Sequence, residues 1–340
     1  MTRFDFLLSR SIPSFLVLYL ENSSMMLDFQ KMDILLYFLL NVSSSFMLSA
    51  AHNVLFFVLD LRSIVVHFLH YFTTFVFLFL MYSKFATVSI SGELLKKSLL
   101  PSLVSQLTVS LLTAKVHSGN RTGSLYLLRI FDFLMTITAM RISPKFLGPN
   151  VRNRSSCSLM IPLAISASLS WLEFGHIEYD NFGLFFAPIL AVARGINLLV
   201  LKKSLHVFRS GTSQGSFELF SLYHTGTITV ALAFPAIISY FQSTVSYDAS
   251  WESIDYILMT MSVIFMICFK FSELWLTLHT DIPIYCALEH TKFFCASVGQ
   301  WWLQNMAHAS IYAFVGKFVF ITSSLRFWQN TELMPKRQIN

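Results

Sequence analysis

Charged residues are scarce in this sequence. Only 12% of its 340 residues are Asp, Glu, Lys or Arg, about half the share that covers the surface of a soluble domain. So little charge cannot clothe a water-exposed surface of this size, and a soluble globular fold is excluded. Cysteine is scarce too. The four present, Cys157, Cys268, Cys286 and Cys295, lie in or beside apolar stretches and form no CxxC pair. That excludes a disulfide framework and the common metal-site spacings, and leaves four small residues for packing. Enzyme signatures are missing as well: there is no P-loop, no GxGxxG after a strand, no HExxH and no GxSxG. Without these, and without a visible nucleophile–base pair, the chain reads as a non-enzyme with no cofactor implied. The net charge of +6 does not mark a nucleic-acid partner, because the basic residues sit in short connections between apolar blocks.

Those blocks are what the sequence has in abundance. Hydrophobic residues make up 55% of the chain and aromatic residues 16%, gathered in runs of about 17–25, the length of a helix that crosses about 30 Å of hydrocarbon. The runs are apolar all round rather than striped every 3.6 residues, as a helix in lipid requires. They predict ten transmembrane helices, near 34–58, 63–83, 98–115, 122–140, 156–172, 181–201, 218–241, 256–278, 282–303 and 307–327. The split between the last two rests on Gln304, Asn305 and His308, just after the interfacial pair Trp301-Trp302. Ile12–Leu20 is too short to span and reads as interfacial. With both termini cytosolic, the cytosolic side gathers sixteen loop and terminal Lys and Arg residues and the opposite side three, Arg62, Lys115 and Arg121. That is the positive-inside pattern. The reading is an all-α membrane protein with an N-terminal segment 1–33, helical halves 34–172 and 173–327, and a tail 328–340.

Eight charged groups fall inside the apolar blocks: Arg129, Asp132, Arg194, Lys270, Glu273, Glu289, Lys292 and Lys317. A charge at mid-bilayer costs about 2.5–3.5 kcal/mol, so each is expected to face the bundle interior or a wet cavity. Arg129/Asp132, Lys270/Glu273 and Glu289/Lys292 are opposite-charge pairs three residues apart, on one face of a helix. Self-neutralising packing explains Lys270/Glu273 as well as function does. Arg194 and Lys317, unpaired within their own helices, are expected to snorkel or to bond carbonyls. If the chain is two five-helix halves, the fourth and ninth helices are equivalent elements. Arg129/Asp132 and Glu289/Lys292 then lie where inverted-repeat transporters bind their substrates, and the cations suit an anion such as a phosphate.

Several segments resemble the nucleotide-sugar and triose-phosphate branch of the drug/metabolite transporter superfamily. Ser158–Leu205 is similar to that branch's fifth and sixth helices, with Glu178, Tyr179, Gly183, Arg194 and Lys202-Lys203 in the matching places. Residues 221–235 (SLYHTGTITVALAFP) look like its seventh helix, and 126–136 (YLLRIFDFLMT) like the fourth helix of UDP-sugar transporters. The resemblance implies two inverted five-helix repeats and an antiporter of the Golgi or ER membrane. Such a protein exchanges a nucleotide-sugar, or another phosphorylated metabolite, for a nucleoside monophosphate or phosphate. It implies an anionic small-molecule substrate and no nucleic-acid partner, and it is compatible with a homodimer. Carried over residue by residue, it places substrate binding on Arg129, Tyr223, His224, Glu289 and Lys292. Asp132, Arg194, Lys270, Glu273 and Lys317 remain as structural or gating charges. Two departures stand out. His224 occupies a position where the branch often has Asn, and Glu289 replaces the Gly of a Gly-x-x-Lys pattern ending at Lys292. The alternatives are a seven-helix receptor, which needs an odd span count that the loop charges oppose, and a degenerate family member that no longer transports.

Overall fold

The computed structural model describes residues 23–57, 63–82, 91–119, 124–147, 161–165, 167–169, 181–212, 216–241, 252–282, 284–292, 315–316, 318–319 and 321–323. Among these residues all regular structure is helical. The long helices are α1 (Ser23–Phe57), α2 (Ser63–Tyr82), α3 (Gly92–Gly119) and α4 (Ser124–Leu147). After a short helical stretch, α5, at 161–165 and 167–169, come α6 (Asn181–Gly211), α7 (Ser216–Phe241) and α8 (Ser253–His279). Residues 284–292 form α9, and 315–316, 318–319 and 321–323 are again helical.

Five of these helices hold segments long and apolar enough to cross a membrane: Ser63–Tyr82, Gly92–Val116, Leu184–Gly211, Ser216–Ser239 and Ser253–Thr277. The exterior agrees. Leu80, Val230, Phe234 and Phe241 are each more than 70% exposed, whereas His70, Ser98, Ser102 and Ser262 are fully buried. Apolar groups outside and polar groups inside is the arrangement a bilayer selects, because lipid offers backbone and side-chain polar groups no partner. The protein is an integral membrane protein of the all-α class. Helix continuity survives Pro101 in α3, Pro188 in α6 and Pro235 in α7, as spanning helices tolerate when neighbours satisfy the freed carbonyls.

Several helices run past the apolar blocks that announce them. α1 begins at Ser23 rather than near 34, α3 at Gly92 rather than 98, and α6 continues to Gly211 rather than 201. Lys96, Lys97, Arg141, Lys202, Lys203 and Arg209, expected in connections, therefore lie on helical extensions. Hydropathy marks only the hydrocarbon crossing, and a helix ends where its backbone finds other partners. At the end of α8 the N–H of Thr280 returns to the Leu276 carbonyl at 3.0 Å, and Lys202 from α6 donates to the Thr280 carbonyl. A lysine there also complements the negative helix end.

The principal packings are α4 and α3 on α6, α1 on α8, and α2 on α7. Where α4 meets α6 the backbones nearly touch: a Cβ on Gly195 would lie 2.7 Å from the Met135 carbonyl oxygen. Among the described residues three larger apolar clusters fill the interior, and a small fourth joins Val116 of α3 to Leu190 of α6. Met135, Ala139, Leu198, Leu199, Tyr285 and Cys286 join α4, α6 and α9. Leu99, Leu205, Phe208 and Phe220 join α3, α6 and α7. Leu48, Tyr71, Ile228, Leu232 and Met266 join α1, α2, α7 and α8. Between the clusters lies a cavity whose largely apolar wall carries several charged and polar side chains.

Candidate functional site

The cavity has a volume of about 250 Å³ and takes walls from eight helices, α1 to α4 and α6 to α9. Its lining includes five charged side chains: Arg194 from α6, Lys270 and Glu273 from α8, and Glu289 and Lys292 from α9. Each charge stands in an otherwise apolar run of sequence, and the inward faces of the helices bring them together.

Glu289 is the hub. Its Oε1 accepts from Lys292 Nζ at 2.6 Å, one turn along α9, and its Oε2 accepts from the Arg194 guanidinium at 3.0 Å across to α6. One carboxylate, 5% exposed, thus bridges two cations, one on each oxygen. Lys270 and Glu273 form a second pair at 2.7 Å. Phe269 lies between the two lysines, its ring 4.7 Å from Lys292 Nζ and 5.1 Å from Lys270 Nζ. A ring face beside an ammonium is a favourable, sparsely hydrated contact.

Neutral polar groups extend the wall. Gln106 donates to the Tyr71 hydroxyl at 2.8 Å, Asn197 donates to Gln106 at 2.8 Å, and Ser105 donates to Asn197 at 2.8 Å. This chain ties α2, α3 and α6 together along one side of the cavity. His224 shares a hydrogen bond with Ser102 of α3 at 3.2 Å and stacks on Phe220, ring centres 5.3 Å apart.

The expected site residues divide as follows. His224, Glu289 and Lys292 line the cavity, and so do Arg194, Lys270 and Glu273, which the sequence left as structural or gating charges. Arg194, expected to snorkel or to bond carbonyls, donates to a carboxylate on another helix, that of Glu289. Tyr223 is not among the lining residues and packs instead against the Leu99–Phe220 cluster. Asp132 is held by α9, where His290 Nδ1 lies 3.1 Å from its carboxylate; its expected pairing along α4 with Arg129 lies outside the described residues. The other ring nitrogen of His290 is 2.8 Å from the Thr136 hydroxyl. One neutral tautomer satisfies both contacts, with Nδ1–H donating to Asp132 and Nε2 accepting from Thr136. All three are 1% exposed, so they lock α4 to α9 behind the cavity wall. Arg129 belongs to α4, but its side chain is outside the described residues, as is Lys317. Gln106, Asn197, Tyr71 and Tyr285 line the cavity without having been singled out. An amide inside an apolar block is itself a signal, since burying it without a partner is costly, and Gln106 and Asn197 carried that signal.

Among the described lining residues, three cations face two carboxylates. Arg194 and Lys292 grip one carboxylate together, that of Glu289. The sequence matches no protein-family model and no curated protein.

Proposed function

We propose that this protein is a membrane transporter for a small phosphorylated metabolite, held in the central cavity by Arg194, Lys292 and Lys270 and moved by exchange against phosphate or a phosphate ester. The observation that carries the proposal is a cation-rich cavity at the heart of a bundle of membrane-crossing helices. Charges so placed are expensive in a bilayer, and a substrate path is the common reason to retain them.

The helix packing supports an arrangement of ten spans in two inverted five-helix halves. A two-fold axis relating such halves exchanges α1 with α6, α2 with α7 and α3 with α8. It therefore turns the α1–α8 packing into α6–α3, turns α2–α8 into α7–α3, and maps α2–α7 onto itself. All of these contacts are present. The polar chemistry at the crossings is matched as well: Asn41 of α1 donates to Ser272 of α8 at 3.0 Å, and Asn197 of α6 accepts from Ser105 of α3 at 2.8 Å. Binding at the interface of the halves suits alternating access. Cytosolic termini follow from the charge bias, and a Golgi or ER membrane from the resemblance.

The cavity's volume of about 250 Å³ lies below the about 300–1,000 Å³ of sites that enclose drug-sized molecules. That favours a phosphorylated sugar or a comparably small ester over an entire nucleotide-sugar. A second reading, a member that has lost transport, draws support from Glu289, which occupies both of the cations an anion would need. Ligand-induced stabilisation separates the two, because a ligand that binds the folded protein raises its unfolding midpoint. Purified protein is heated with a panel of phosphorylated sugars, nucleoside monophosphates, nucleotide-sugars and inorganic phosphate. Stabilisation by the small esters, lost in Lys292→Met, is expected. Stabilisation by none of the panel contradicts the proposal and favours the inert member.

A further inference from the structure

We propose that Arg194 and Lys292 form a clamp for a doubly charged oxyanion, a phosphate monoester or its analogue sulfate, and that Glu289 takes up a proton as the anion enters. This rests on the cavity being the ligand site, as proposed above, but not on transport.

Geometry singles out Glu289. Its two oxygens are held by different cations, at 2.6 Å and 3.0 Å, so the carboxylate stands where an incoming oxyanion would stand. An anion that recruits Arg194 and Lys292 removes the partners of both oxygens together. What remains is a carboxylate 5% exposed to solvent, beside a new double negative charge. A buried carboxyl without partners is more stable neutral than charged, and a neighbouring anion strengthens that preference. The charge balance agrees. The described lining groups carry one positive charge in excess, a dianion converts this to one negative, and a single proton restores neutrality.

The surrounding groups leave Glu289 as the acceptor. Across from it, α8 contributes Lys270 and Glu273, which neutralise each other at 2.7 Å, so Glu273 keeps a cationic partner of its own when Arg194 and Lys292 turn to the anion. Tyr285 and Cys286, on α9 itself, already carry their protons at neutral pH. Tyr71 of α2 bonds Gln106 at 2.8 Å, and His224 of α7 bonds Ser102 at 3.2 Å. From α4 comes Asp132, already bound to His290 of α9 at 3.1 Å, and α2 adds His67, which lines the same cavity; these are the rival acceptors. The proton comes from the aqueous solution that delivers the anion, and returns to it on release. Anion and proton therefore travel together, and internal Glu289 fills the clamp when it is empty.

The linkage has a definite sign. The bound state holds one proton more than the empty state, so binding strengthens as pH falls, by about tenfold per pH unit where the proton is fully linked. The test uses sulfate, which stays doubly ionised near neutrality, so any proton consumed is taken up by the protein. Purified protein in weak buffer is titrated with sulfate, and proton uptake is followed with an indicator dye. Wild type is expected to take up about one proton per sulfate bound near pH 7. Glu289→Gln should take up none and bind sulfate equally across pH, proton uptake should persist in His290→Gln and in His67→Gln, and Lys292→Met should not bind. Sulfate binding without proton uptake in the wild type overturns the proposal, and that arm needs no variant to fold. Uptake that persists in Glu289→Gln, or disappears only in His290→Gln or His67→Gln, also overturns it, as does failure of wild type to bind sulfate. Proton-linked binding without exchange in vesicles refutes transport and leaves this inference standing. Exchange without proton uptake does the reverse.

Discussion

The bridge at Glu289 makes an asymmetric prediction about stability. Removing one member of a buried ion pair costs about 3–5 kcal/mol, because the survivor keeps its charge without compensation. Glu289→Gln breaks two such contacts in one substitution, those at 2.6 Å and 3.0 Å. It also leaves the Lys292 ammonium and the Arg194 guanidinium facing each other without the carboxylate between them. At an effective dielectric near 20, two unit charges about 4–6 Å apart repel by about 3–4 kcal/mol. The cost should therefore reach the upper end, about 5 kcal/mol. Lys292→Met is different in kind, since Glu289 and Arg194 remain as a neutral pair and the new side chain is apolar beside Phe269. Its cost should stay below about 3 kcal/mol. The assay is the unfolding midpoint of each purified variant in one detergent, followed by loss of the monodisperse peak on heating. With a shift of about 2 °C per kcal/mol in a chain of this size, Glu289→Gln should fall by about 10 °C and Lys292→Met by about half that or less. Added sulfate or phosphate should recover part of the loss in Glu289→Gln by replacing the missing negative charge. If Lys292→Met is as damaged as Glu289→Gln, or anions rescue neither, Glu289 is not the hub.

Further outcomes follow from the packing. Gly195→Val should destabilise by about 1–3 kcal/mol, because its Cβ would meet the Met135 carbonyl at 2.7 Å and Thr138 at 3.0 Å; an unchanged melting midpoint would mean that α4 and α6 are not tightly apposed. Asn41→Ala and Asn197→Ala each delete an interhelical amide contact, to Ser272 and Ser105 respectively. Each should cost about 0.6–2 kcal/mol, and losses differing by more than threefold would speak against equivalent roles. Epitope tags at either end should be reached by antibody only from the cytosolic side, if the proposed topology puts sixteen of the nineteen basic residues flanking the apolar blocks there; a lumenal tag at one end would remove the even span count.

The class of fold was legible because hydropathy and loop charge are local quantities. A run such as Ser63–Tyr82 declares itself without reference to the rest of the chain. Helix ends were less legible: apolar runs report the hydrocarbon slab, whereas α6 continues through Lys202, Lys203 and Arg209. The charged half of the site was visible for the same local reason, since Arg194, Lys270 and Glu289 stand out against their surroundings. Partnership was visible only along a helix. The three-residue spacing found Lys270–Glu273 and Glu289–Lys292, now seen at 2.7 Å and 2.6 Å. It had no means of finding Arg194–Glu289 or Asp132–His290, which depend on how helices cross. Tyr223 and His224 show the limit of a pattern carried over residue by residue. Adjacent residues on a helix point about 100° apart, so His224 faces the cavity while Tyr223 joins the neighbouring cluster.

Exchange across a membrane decides whether the protein transports phosphate esters. Vesicles containing purified protein are loaded with a labelled nucleoside monophosphate or sugar phosphate, and efflux is followed with and without unlabelled phosphorylated compounds outside. Efflux is expected to accelerate when a small phosphate ester is present outside. Lys292→Met and Arg194→Ala are expected to abolish the acceleration while the protein remains folded, because each removes half of the clamp around the site of Glu289. Efflux by Lys292→Met at the wild-type rate would contradict the site, and wild-type vesicles that release none of these compounds would contradict the function.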